Sequence, residues 1–148
     1  MKIPNYLKLT KKVLFNVAQP ATFENPHLNN CLIDKMYKFM VSQNAIGLAA
    51  PQIGISKRIF VMSANNCPTF CFNPEIIKFN DTLLTSIEGC LSFPGEELTI
   101  TRPISIDARY QNYKGEYIYT SLYGTSSICF QHELDHLNGI VFHNMITN

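Results

Sequence analysis

Two stretches with helical periodicity, far apart in the chain, constrain its fold more than any other feature. The first runs from about residue 29 to residue 42, where apolar side chains recur at intervals of three and four residues. This spacing places them on one face and predicts an amphipathic helix. The apolar face consists of Leu32, Met36, Phe39 and Met40.

The second predicted helix runs from about Leu122 to Asn138. Ser121 precedes it and is predicted to be the N-cap, because a serine hydroxyl can accept a hydrogen bond from the first turn. Gly139 follows it and is predicted to end the helix, because glycine tolerates the left-handed conformation found there.

The segment between the helices is predicted to form short strands. The strand-like runs are Arg58–Met62, Thr69–Phe72, Ile76–Phe79, Thr82–Ile87, Ile104–Tyr110 and Tyr117–Thr120. Tyr113–Glu116 predicts a hairpin turn, and Gly47–Gly54 predicts irregular backbone that lines a site. One helix, several antiparallel strands and another helix indicate an α+β fold. The length of 148 residues fits one domain spanning residues 1–148.

Charge and hydropathy exclude two classes of partner. Lys and Arg total 12 and Asp and Glu total 11, a formal charge of +1. The short run of Lys8, Lys11 and Lys12 is interpreted as solvated surface, so no nucleic-acid partner is expected. Apolar runs are short and interrupted by Asn, Lys or Pro, so no membrane partner is expected either.

The cysteines indicate a reducing compartment. There are five, at irregular spacing and without a signal peptide, which argues against a secreted disulfide framework. Cys31 and Cys129 are interpreted as small core residues. Cys67 and Cys71 do not favour a zinc knuckle, because Pro68 separates them and no second pair is present. The expected location is the cytoplasm.

The second helix carries the pattern His132-Glu133-Leu134-Asp135-His136. Histidines four residues apart on a helix lie on one face, one turn apart, so two ring nitrogens can reach one metal ion. Glu133 is placed to act as a general base. The alternative to a metal site is a pair of surface histidines beside a carboxylate. The apolar neighbours on this helix disfavour that interpretation.

A catalytic ion needs a third protein ligand, and the residues alone leave its identity open. His143 falls one residue later than the third histidine of the metzincin proteases, where Phe142 stands instead. Cys90 follows Gly89 and can offer a thiolate to iron or zinc. A lone cysteine, however, is more commonly a small core residue.

Three segments together resemble the three signature motifs of the peptide deformylases, in the same order. They are Gly47–Gln52, Glu88–Ser92 and Gln131–His136. The resemblance implies the family's fold, antiparallel β-sheets around a central helix that carries metal ligands. It also implies the activity: hydrolysis of the N-formyl group from the formyl-methionine of nascent polypeptides, with release of formate.

The resemblance further implies a set of reacting groups. Cys90, His132 and His136 would hold one divalent ion, with water as the fourth ligand. Family members work best with ferrous iron and also accept zinc, nickel or cobalt. Glu133 would accept a proton from water and return it to the leaving amine. The side-chain amide of Gln52 and the backbone N–H of Leu91 would stabilise the oxyanion.

The substrate contacts are assigned in the same way. Gly47 and Gly89 would approach the peptide through their backbones. The pocket for the methionine side chain would be formed by Ile46, Ile128, Cys129 and the ring of His132. These contacts make N-formyl-methionyl peptides the expected partners. On residue type alone, by contrast, Gln52 is predicted to be a surface glutamine beside a turn.

Three features depart from the family pattern. Ala45 stands where a glycine is common, and Glu97 stands where well-known bacterial members carry an arginine near the substrate. Nine residues follow Gly139, as in phage-encoded and other truncated forms that lack the C-terminal helix. Weak ribosome docking is expected from this short ending, and Glu97 is expected to disfavour acidic residues after methionine.

Two other classes of protein carry similar motifs. A zinc endopeptidase with the same helical motif would need a third ligand downstream, which this sequence does not provide in register. A non-catalytic, metal-stabilised binding domain would fill four positions with protein ligands and have no use for Glu133 as a base. Both are kept as alternatives to the deformylase.

Overall fold

The first helix begins earlier than its periodicity predicted. In the computed structural model, which describes residues 1–141, helix α1 covers Pro26–Ser42. Asn25 is the N-cap, and its side chain accepts a hydrogen bond from the N–H of Leu28 at 3.1 Å. Proline fits the first helical position because no intrahelical donor is needed there. The predicted apolar face is confirmed, and Leu32, Met36 and Met40 are fully buried.

The second helix, α2, covers Thr125–Leu137 and starts later than predicted. Its N-cap is Gly124, at φ 64°, so the prediction that Ser121 caps the helix was wrong. Ser121 lies in a strand instead, and its hydroxyl donates to Asp107 Oδ1 at 2.7 Å. Gly139 follows the helix at φ 72°, as predicted.

Five strands form one antiparallel sheet in the order β1-β2-β3-β6-β7. They are β1 (Gly47–Ala49), β2 (Ile59–Ala64), β3 (Cys67–Phe79), β6 (Ser105–Gln111) and β7 (Tyr117–Tyr123). Two predicted runs merge into β3, because Asn73 at φ 50° forms a bulge rather than a break. The turn before β7 is confirmed, with Gly115 at φ 91°.

Two further strands form a separate hairpin, β4 (Leu83–Cys90) and β5 (Phe93–Pro103). Cys90 pairs with Phe93, so only Leu91 and Ser92 form the turn. The sequence did not predict β5, because Pro94 and the three residues that follow interrupt any alternating pattern.

Strand β2 is buried on both faces and organises the core. Phe60 and Met62 face α2, where the ring of Phe130 packs edge-on at 5.1 Å from that of Phe60. Ile59 and Val61 face α1. The predicted α+β fold, antiparallel sheets around a central helix, is confirmed. No helix within residues 1–141 is long and apolar enough to cross a membrane.

Candidate metal centre and active site

Helix α2 and the β4–β5 hairpin bring three potential metal ligands together. Phe130 and Leu137 anchor α2 in the core, which turns His132 and His136 toward the end of β4, where Cys90 lies. The ligand atoms of the three side chains lie within 4.8 Å of one another. Cys90 Sγ is 3.4 Å from His136 Nε2.

These distances fit a divalent ion. Bonds of about 2.3 Å to sulfur and 2.0–2.1 Å to nitrogen, meeting at a tetrahedral angle, separate the two ligand atoms by about 3.6 Å. The distance of 3.4 Å between Cys90 Sγ and His136 Nε2 is close to this separation. Burial lowers the pKa of His136 to about 3, so its imidazole is neutral at neutral pH, as a metal ligand must be.

Glu88 orients His132 from behind. His132 Nδ1 donates to Glu88 Oε1 at 2.8 Å, which leaves Nε2 facing Cys90 and His136. Burial alone would lower the pKa of His132, but hydrogen bonds to Cys90 and Glu88 raise it to about 10. The groups around this ring therefore stabilise a positive charge at this position. A bound divalent ion would place a positive charge there in the same way. A carboxylate behind a histidine ligand fixes its tautomer in many metal sites.

Arg102 holds Glu88 in position and links the β4–β5 hairpin to helix α2. Its guanidinium donates to both carboxylate oxygens of Glu88, at 2.7 and 3.0 Å, and to Asp135 Oδ2 at 2.8 Å. The side chains of Arg102 and Glu88 are 7% and 6% exposed. Although burial raises the pKa of Glu88, the hydrogen bonds from His132 and Arg102 lower it overall, so this carboxylate remains ionised.

Glu133 lies beside these ligands, and one of its carboxylate oxygens makes no hydrogen bond within residues 1–141. The residue is 3% exposed, and its Oε2 has no hydrogen-bond partner within residues 1–141. Burial raises its pKa to about 7, close to the value suited to exchanging protons at neutral pH.

Gln52 is buried, although its residue type suggested a surface position. It is 1% exposed and belongs to a short 3-10 helix, Ala50–Ile53, that follows β1. Its Oε1 accepts from the N–H of Ala49 at 2.9 Å. Its Nε2 donates to Ser92 Oγ at 3.2 Å and lies 3.6 Å from Cys90 Sγ. The amide nitrogen is thereby aimed at the metal site.

A cleft of about 750 Å³ connects these groups. Its walls include ten of the eleven residues that the sequence assigned to the site, and His136 lies behind them. The ten are Ile46, Gly47, Gln52, Gly89, Cys90, Leu91, Ile128, Cys129, His132 and Glu133. Ile46 is 51% exposed, so it forms a rim rather than a closed wall.

The family assignment follows from comparison with known proteins. The sequence model of the family described as polypeptide deformylase matches residues 3–148. The chain belongs to the peptide deformylase family. A peptide deformylase of Thermotoga petrophila is 43% identical over 135 residues, which cover 91% of this chain and 82% of that protein.

Solved peptide deformylases share the fold. The crystal structure from Thermotoga maritima has a TM-score of 0.89 at 38% identity and covers 95% of this chain and 97% of that one. The Acinetobacter baumannii enzyme bound to Met-Ala-Ser has a TM-score of 0.87 at 32% identity, with 93% and 96% covered. The predicted activity, metal-dependent removal of an N-formyl group, is confirmed, and neither alternative is favoured.

Sequence reasoning missed several residues of this deformylase site. Glu88 lies two residues before Cys90 on a strand, so its position on the same face was a usable signal. Ser92 was named only as part of a motif, and Asp135 was given no role. Arg102 carried no signal, because its strand was not predicted.

The sequence indicates two small core cysteines, Cys129 and Cys31. Cys129 is a core residue, as predicted, and also lines the cleft. Cys31 is half-buried beside His27 rather than in the core. All five cysteines are unpaired. His143 lies outside the described residues.

Proposed function

We propose that this chain deformylates N-formyl-methionyl peptides, with Glu133 as the general base and Cys90, His132 and His136 as the ligands of one divalent ion. The observation that carries the proposal is the buried Oε2 of Glu133, which has no hydrogen-bond partner within residues 1–141. It belongs to the cleft that Cys90 and His132 line, and their ligand atoms lie within 4.8 Å of that of His136. A site that only stabilised the fold would have no use for that carboxylate.

When bound, the ion supplies a Lewis acid that lowers the pKa of water and polarises the formyl carbonyl. We propose ferrous iron first, and zinc, nickel or cobalt as substitutes, because one thiolate and two imidazoles suit all four. Glu88 and Arg102 hold His132 in place for this role.

The remaining groups act on protons and charge. Glu133 takes a proton from the attacking water and passes it to the amine as the C–N bond breaks, which yields formate and a free N-terminus. The Nε2 of Gln52 and the N–H of Leu91 donate to the oxyanion that develops on the formyl oxygen. Support for Gln52 comes from its fixed amide, held by Ala49 and Ser92.

The peptide lies between β1 and the end of β4 in this proposal. Gly47 and Gly89 meet its backbone, and Ile46, Ile128 and Cys129 surround the methionine side chain beside the ring of His132. The Met-Ala-Ser peptide held by the Acinetobacter baumannii relative supports this choice of substrate.

The setting of the reaction is also part of the proposal. We place one catalytic domain over residues 1–148, acting in the cytoplasm, where nascent formylated chains arise and a Cys90 thiolate stays reduced. Weak docking on ribosomes stays a prediction of the sequence, and co-sedimentation with ribosomes tests it.

The decisive experiment measures formate released from formyl-Met-Ala-Ser by protein prepared without chelator. Acetyl-Met-Ala-Ser and an unformylated internal peptide serve as controls for other amide hydrolysis. We expect formate release only from the formyl peptide, and loss of activity after chelation with recovery on adding ferrous iron. An anomalous-scattering map that places the ion away from Cys90, His132 and His136 would reject the ligand assignment.

A further inference from the structure

Ser86 lies on the inner face of strand β4, two residues before Glu88 and four before Cys90. Side chains on a strand alternate between faces, so these three share one. The burial along the strand agrees: Ser86 and Glu88 are partly or fully buried, and Thr85 and Ile87 on the opposite face are exposed. Ser86 also lines the active-site cleft.

The hydroxyl of Ser86 is shielded from solvent and has no hydrogen-bond partner among the residues that the structure describes. Buried hydroxyl groups are nearly always paired, because leaving one unpaired is unfavourable. Thr85, its neighbour on the exposed outer face, does have a partner, with Thr85 Oγ1 2.7 Å from Thr101 Oγ1.

Only two other side-chain atoms in the described part of the chain share this condition, Glu133 Oε2 and His136 Nδ1. Both belong to residues of the metal site, so unpaired polar atoms concentrate where a ligand is expected. The proposed reaction uses Glu133 and His136, but it gives Ser86 no part.

We infer that the Ser86 hydroxyl donates a hydrogen bond to the sulfur of the substrate methionine. The inference rests on the proposed function, which places that side chain beside Ile46, Ile128 and Cys129 in the same cleft. A thioether sulfur is the single polar atom of a methionine side chain and a weak acceptor. Because no neighbour within residues 1–141 holds the Ser86 hydroxyl, it can turn about one bond and meet this sulfur without rearranging the strand.

Norleucine tests the inference, because a methylene replaces the sulfur in a side chain of nearly the same shape. The measurement is kcat/KM for formyl-Met-Ala-Ser and for formyl-norleucine-Ala-Ser, with metal-loaded wild type and Ser86→Ala. The ratio of the two values cancels general damage to the enzyme. We expect Ser86→Ala to lower the methionine preference about twofold to fivefold, the lower part of the range for one hydrogen bond.

A second readout does not depend on turnover. Calorimetry on the product peptides Met-Ala-Ser and norleucine-Ala-Ser should show the same loss of preference in Kd. Thr85→Val is the matched control, because it removes a hydroxyl from the outer face of the same strand and should leave both ratios unchanged.

The outcomes separate the two proposals. A methionine preference that persists in Ser86→Ala, in either measurement, overturns the role of Ser86 while the deformylase activity stands. A wild-type protein that releases no formate from formyl-Met-Ala-Ser overturns the proposed function itself.

Discussion

Gly47 lies directly against Glu133. A Cβ built at position 47 would meet Glu133 Oε1, 2.9 Å from Glu133 Cδ and 3.1 Å from Cys129 Sγ. The glycine in the first motif therefore keeps open the space that the Glu133 carboxylate occupies. We expect Gly47→Ala to displace Glu133 and to lower kcat at least about tenfold with the metal retained, since small misplacements of reacting groups are costly. Steady-state kinetics with metal analysis check this, and a normal kcat would contradict it.

Glu133→Gln should retain the ion and lose most turnover, because an amide cannot accept a proton. Removal of a general base typically costs about 10²–10⁴-fold in rate. Single-turnover kinetics on metal-replete protein provide the measurement. Near-wild-type turnover would reject Glu133 as the base.

Gln52→Ala should cost about 2.7–4 kcal/mol of transition-state stabilisation if the amide serves the oxyanion. The loss should appear in kcat rather than in KM. Gln43→Ala, at an exposed position after α1, is the control. A change confined to KM would instead indicate that Gln52 only binds substrate.

Arg102→Met should destabilise the fold by about 3–5 kcal/mol, because it removes the buried guanidinium that pairs with Glu88 and leaves that carboxylate with the hydrogen bond from His132. Urea unfolding of the metal-loaded protein measures the effect. Arg109→Met is a matched control: Arg109 Nε donates to Glu75 Oε2 at 2.6 Å in an exposed pair, so its loss should matter far less. Equal destabilisation by the two variants would refute a special role for the buried pair.

Glu97 should select against acidic residues downstream of methionine. It is exposed at the rim of the cleft with Glu96, and no Lys or Arg side chain within residues 1–141 lines that cleft. We expect a higher kcat/KM for formyl-Met-Ala-Lys than for formyl-Met-Ala-Glu, by up to about fivefold at low salt. Glu97→Gln should reduce this preference and Glu24→Gln should not. A preference for the acidic peptide would show that Glu97 points away from the substrate.

The sequence predicted the parts of the site that depend on local spacing. The spacing of His132 and His136 predicts that both lie on one face of α2. Cys90 was assigned through the resemblance of its segment to a family motif, and the structure brings its sulfur close to both rings. The burial of Gln52 was not predictable from residue type, because it depends on the 3-10 helix being packed beneath α2.

Long-range pairing limited the rest. Strand β5 exists because β4 pairs with Phe93 and with each residue from Glu97 to Pro103, although Pro94 and Gly95 obscure its pattern. Arg102 lies on that strand, and its partners Glu88 and Asp135 are 14 and 33 residues away. No local rule links residues at such separations.

The β4–β5 hairpin is paired with itself and not with the five-stranded sheet. Cys90, Glu88 and Arg102 therefore belong to one unit, and His132 and Asp135 belong to another. The two are joined by an apolar cluster around Phe93 and Ile100 and by Leu91, which packs against the core. Hydrogen bonds from Ser127 and Gln131 of α2 to the carbonyl of Pro103, and the polar bonds across the site, complete the connection. Any fluctuation that lifts the hairpin separates Cys90 Sγ from both imidazoles in a single event. The residence time of the ion should thus be set by how often this local opening occurs, not by the strength of any one bond to it.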